Sequence, residues 1–88
     1  MAYFAVSYQL EKGDDYQPLW DAFEALGAHK VMRSFYFVDL DTTAQNLRDH
    51  LRQFIDDNDH LAVVPFSQRP YKHRCYKGTQ DWIDERFG

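Results

Sequence analysis

The chain has 88 residues, 44% of them apolar and 17% aromatic, with 14 acidic against 10 basic side chains and a net charge of −4. That length allows one domain, and that apolar share excludes a disordered chain. The acidic balance excludes nucleic-acid binding through net charge alone, and the apolar runs are far too short to span a membrane. A single cysteine, Cys75, permits no internal disulfide and fits a reducing compartment. No basic stretch or cleavage pattern marks Met1 to Phe4, so a cytoplasmic location is expected.

Tyr3 to Leu10 alternates, with Phe4, Val6, Tyr8 and Leu10 on one face and Tyr3, Ala5, Ser7 and Gln9 on the other, which predicts a strand. Tyr16, Leu19, Trp20, Phe23 and Leu26 recur at helical spacing and predict a helix from about Asp15 to Leu26. Asp14 or Asp15 is expected to cap it, Pro18 is tolerated in its first turn, and Gly27 is expected to end it in a left-handed conformation. Ala28 to Leu40 is β-branched and aromatic and too long for one strand; a hairpin with its break near Arg33 and Ser34 is expected.

Thr42 and Gln45 fit a capping box, and Ala44, Leu47, Leu51, Phe54 and Ile55 form the inward stripe of a second helix. Asp56, Asp57 and Asp59 then read as a solvated turn, because they lack the spacing of a calcium loop. His60 to Phe66 predicts a strand, and Pro65 within it demands a sheet edge. Residues 67–88 form an extension of the 1–66 core: a linker that becomes a strand, then a short helix capped by Thr79 with Trp82, Ile83 and Phe87 on one side.

The order β-α-β-β-α-β is that of an α+β, ferredoxin-like domain. Two helices cover one face of its sheet, yet the strands are apolar on both faces, so the second face needs a cover. An identical subunit is expected to supply it, through Tyr3, Phe35, Phe37, Val63 and Tyr71; the C-terminal segment folding back is the competing cover.

Ala5-Val6-Ser7-Tyr8, Leu26-Gly27, the run from Val31 to Leu40 and Asp59-His60-Leu61-Ala62-Val63-Val64-Pro65 together resemble CRISPR-associated protein 2 and its relatives, over roughly Tyr3 to Phe66. The virulence-associated protein D toxins share much of this pattern. The resemblance implies a ferredoxin-like homodimer, often with a C-terminal strand exchanged between subunits. It also implies a role bridging integrase dimers on DNA, and in some relatives a metal-dependent nuclease using an Asp after the first strand. This chain has Gln9 at that position. A neutral carboxamide is a poor Mg²⁺ ligand, so the family's nuclease chemistry is expected to be lost, with no catalytic residue, metal or cofactor assigned.

The remaining chemistry is binding. Arg69, Lys72, Arg74 and Lys77, interleaved with Tyr71 and Tyr76 and extended by Lys30 and Arg33, are the residue types that track a phosphate backbone. The reading is a dimeric DNA- or RNA-binding adaptor, with an integrase-type protein as a further partner. The alternatives are a Mg²⁺-dependent endonuclease or toxin-like ribonuclease with Asp14 and Asp15 as relocated ligands, and a structural interaction module whose basic residues only protect a sheet edge.

Overall fold

The computed structural model describes residues 2–11 and 17–88. The elements run β1 (Tyr3–Gln9), α1 (Gln17–Ala25), β2 (His29–Met32), β3 (Phe35–Asp39), α2 (Ala44–Arg52), β4 (His60–Phe66) and α3 (Thr79–Phe87). The four strands form one sheet in the order β2-β3-β1-β4, with every neighbouring pair antiparallel. Among the described residues no helix is long and apolar enough to cross a membrane. The expected caps Asp14 and Asp15, and Tyr16, lie outside the described residues.

Local signals set the element ends. Gly27 at φ 68° closes α1: the Ala28 N–H donates to Phe23 O at 3.0 Å and the Gly27 N–H to Glu24 O at 3.0 Å. These two bonds are the paired closure that a left-handed residue makes possible after a helix. Arg33 and Ser34 form the tight turn between β2 and β3, with Ser34 at φ 59° and a register shift between Lys30 and Met32. A left-handed residue beside a bulge matches the twist of a hairpin. The cap of α2 sits one residue later than the Thr42–Gln45 pattern implies. Thr43 is extended and its hydroxyl accepts from the Asn46 N–H at 3.1 Å. β4 is an edge strand, which is why it accommodates Pro65 opposite Phe4.

The alternation in β1 and β3 feeds two cores. On one face Phe4, Val6, Tyr8, Tyr36 and Val38 pack with Leu19 and Phe23 of α1 and Leu47 and Leu51 of α2. The Phe23 and Tyr36 rings stack 3.9 Å apart at 5°. Burial, followed by the effects of Tyr8, pushes the Tyr36 hydroxyl up to about 12, so it stays protonated across the physiological range.

On the other face Val31 and Phe37 meet Trp82 and Ile83 of α3, with Tyr3, Ala5, Phe35, Phe66, Cys75 and Phe87 around them. The part of the second face formed by Tyr3, Val31, Phe35, Phe37 and Phe66 is therefore covered within the chain. No strand forms in the extension before α3. Pro70 lacks a backbone donor, and Arg74 is left-handed at φ 57°, so the alternating pattern there cannot stay extended. The segment instead crosses to the free edge of β2, where the Tyr76 N–H donates to Val31 O at 2.8 Å.

The start of α3 is locked to β2. Gly78 holds φ 93°, and a Cβ there would lie 3.3 Å from the His29 ring. The Thr79 hydroxyl donates to Tyr76 O at 2.7 Å, so it accepts from His29 Nε2–H at 2.8 Å. Burial first, and Arg86 second, hold the His29 pKa below its ordinary 6.5. The unfolded chain therefore binds more protons, and stability is complete above that value and falls as pH drops below it. Urea midpoints are expected to fall between pH 7.5 and 5.5, with His29→Gln losing that part of the slope. Asp84 is held below its ordinary 3.8 by Gln80 and then Arg69, and acts only at lower pH.

Candidate nucleic-acid interface

The six cations named by the sequence separate into three environments. Arg69 is consumed by α3: its guanidinium pairs with Asp84, which also accepts from Gln80 Nε2 at 3.0 Å. The segment itself contains no acid, but the helix that follows brings one to it. Lys72, Arg74 and Lys77 are exposed and make no ion pair among the described residues. Tyr71 and Tyr76 accompany them and are 90% and 49% exposed. Lys30 and Arg33 lie on β2 and its turn, beside the strand edge to which Tyr76 is bonded.

Lys30 and Arg33 belong to a cleft of about 310 Å³ lined, among the described residues, by Tyr8, Trp20, Lys30, Arg33 and Ser34. Trp20 Nε1–H donates to Tyr8 Oη at 3.2 Å, and Lys30 Nζ lies 5.5 Å from the centre of the Trp20 ring. Helical spacing places Trp20 in the apolar stripe of α1; in the fold it stands at the rim of the helix, 38% exposed. Its role was hidden because the contact with Lys30 joins α1 to β2, which helical spacing alone does not report.

The five residues expected at a subunit interface do not form one surface on the chain. Tyr3 lies 5.9 Å from Trp82 and 5.0 Å from Phe87, and Phe37 lies 4.9 Å from Trp82, all as ring centroids. Phe35 packs into the same cluster. Val63 points to the opposite face, against the α1–α2 core, and Tyr71 stands in solvent. What stays open on the α3 side is the far end of β1 and β4, where Ser7, Gln9, His60, Ala62 and Val64 are exposed.

Gln9 sits in that open end, opposite His60 in the ladder. His60 Nε2 lies 3.8 Å from Glu11, and the Glu11 N–H donates to Asp59 Oδ1 at 2.8 Å. Asp59 also accepts from the Asp56 N–H at 2.8 Å, so its carboxylate closes the turn before β4. Among the described residues no group of three His, Cys, Asp or Glu is placed to hold a metal ion. Asp14 and Asp15, the alternative ligands, lie outside the described residues.

No protein-family model matches the sequence. No solved structure matches the chain.

Proposed function

We propose that the chain is a ferredoxin-like nucleic-acid-binding protein that tracks the phosphate backbone without cutting it. The observation that carries this is the 71–77 segment. Three exposed cations that make no ion pair among the described residues are interleaved with two exposed tyrosines, on a segment fixed to the edge of β2 by Tyr76. Cations of this kind release counterions on meeting phosphates, and aromatic rings accept unstacked bases. The sheet order β2-β3-β1-β4 supports the ferredoxin-like reading, as does the resemblance of Tyr3 to Phe66 to CRISPR-associated protein 2.

The sequence favoured a homodimer because the sheet's second face lacked a cover. α3 packs on that face over Val31 and Phe37, so a covering subunit is not required there, and the binding reading holds for one chain. Catalysis is not part of it, since Gln9 replaces the carboxylate on which the family's nuclease reading rests. An adaptor role beside an integrase-type protein follows from the resemblance and needs the same basic surface.

The test is a paired assay with labelled duplex DNA and single-stranded RNA, each with Mg²⁺ or Mn²⁺, read for retardation and for cleavage. Retardation that weakens with salt and leaves the strands intact is expected. Chelator-sensitive cleavage would restore the nuclease alternative. No retardation at low salt would leave the interaction module.

A further inference from the structure

The sheet has two edges, and the chain treats them differently. On the β2 edge the Tyr76 N–H donates to Val31 O at 2.8 Å, so the chain's own segment occupies it. On the β4 edge no described residue adds a backbone bond along 61–65. β4 is 7 residues long, and from Leu61 to Pro65 it carries no charged side chain. A bare apolar edge of that length is a template for another strand, and charged side chains are the usual protection against it.

The register fixes which groups the edge offers. The Tyr8 N–H donates to Ser34 O and Ala2 O accepts from the Leu40 N–H, so the even residues of β1 bond toward β3. The odd residues of β1 therefore bond toward β4, where Tyr3, Ala5, Ser7 and Gln9 stand opposite Phe66, Val64, Ala62 and His60. The N–H and C=O groups of Leu61 and Val63, and the C=O of Pro65, are left pointing outward. Pro65 conforms, because its missing donor falls on the solvent side. Outward pairing ends before Asp59, whose N–H already donates to Asp56 O at 3.1 Å.

We infer that this edge pairs antiparallel with β4 of a second copy, about a two-fold axis at Val63. Val63 then exchanges both backbone bonds with the partner's Val63, and the Leu61 N–H donates to the partner's Pro65 C=O. Every donor that the stretch presents is used in this register. The side chains agree with it. On the helix face the partner's Val63 enters a groove of about 410 Å³ lined by Ala44, Gln45, Arg48 and Val63. On the other face the exposed Ala62 meets the partner's Val64. Like charges placed opposite one another oppose self-pairing, and the paired stretch has none. Arg48 beside it is balanced by Asp49 at 2.8 Å. The occupied β2 edge stops the assembly at two copies, in which two 4-stranded sheets become one.

Sedimentation from micromolar to millimolar concentration is expected to show the mass rising to that of two chains. Ala62→Asp combined with Val64→Asp sets carboxylates opposite one another across the axis, and is expected to restore the single-chain mass. Both positions are exposed, so the melting temperature of the monomer should hold. A second chain with Lys at the same two positions should pair with the Asp chain on mixing, which loss of apolar surface alone would not allow. Crosslinking in a Cys75→Ser background reads the register. Ala62→Cys chains mixed with Val64→Cys chains are expected to give about tenfold more disulfide than either chain alone, because like positions lie beyond the roughly 7 Å that a disulfide bridges.

A single-chain mass at every concentration would overturn the proposal and leave the edge to a foreign strand. A dimer that survives the paired Asp substitutions would overturn it in favour of another surface. Crosslinking of Ala62→Cys alone as readily as the mixture would overturn the register. These outcomes are independent of nucleic-acid binding by the 71–77 segment, which lies on the opposite edge.

Discussion

Replacing Trp82 by Ala is expected to cost about 3–5 kcal/mol of stability, read as a fall in the urea midpoint. The indole is 6% exposed and fills the space between Tyr3, Phe37 and Phe66. Its outer face carries the Arg86 guanidinium at 4.2 Å, which in turn is bonded to Asp39 at 2.7 Å. Removing the ring opens a cavity and releases the cation that ties α3 to the end of β3. Small domains hold only about 5–15 kcal/mol in total, so the loss takes a large share. It also frees Val31 and Phe37, and concentration-dependent self-association is expected to follow. A change below about 1 kcal/mol would mean that α3 does not cover the sheet, and the case for a covering subunit would return.

The second large effect concerns binding. With Lys72, Arg74 and Lys77 each on one phosphate, the salt slope for duplex DNA is about −2.7, which weakens affinity about 40-fold from 50 to 200 mM salt. Changing all three to Gln is expected to flatten that dependence almost completely while leaving the fold intact, because all three are exposed. Calorimetric or fluorescence titrations at several salt concentrations give the slope. An unchanged slope would place the phosphate contacts elsewhere. Arg69→Gln is the informative contrast, since its charge is already spent on Asp84.

Much of the fold could be read from short-range signals. Pro18 and Gly27 bracket α1 and Pro65 marks the edge, because proline and glycine carry their own backbone restrictions, while the hairpin at Arg33 and Ser34 was legible from the length of the Ala28 to Leu40 run. The strand alternation also announced two apolar faces. What covers the second face was a long-range question. The stripe of Trp82, Ile83 and Phe87 was visible, but nothing local says whether it meets its own sheet or another copy. The expected strand in the extension failed for a related reason. Aromatic and basic residues alternate there as they do in strands, while Pro70 and the left-handed Arg74 turn the chain.

The candidate interface was legible in kind and not in arrangement. Residue type alone picked out the cations, but the pairing of Arg69 with Asp84 spans 15 positions and depends on where α3 docks. The cleft required three separate segments, β1, α1 and β2 with its turn, to bring Tyr8, Trp20, Lys30 and Arg33 together. No periodicity within one segment encodes that.

The most direct test of the basic strip as the binding surface is an amide chemical-shift titration of the ¹⁵N-labelled chain with a short 5′-phosphorylated DNA strand. The account predicts that shifts concentrate at residues 71–77 and at Lys30, Arg33 and Ser34, with β4 unaffected. Shifts confined to Ser7, Gln9, His60 and Ala62, the open end of the sheet, would contradict it.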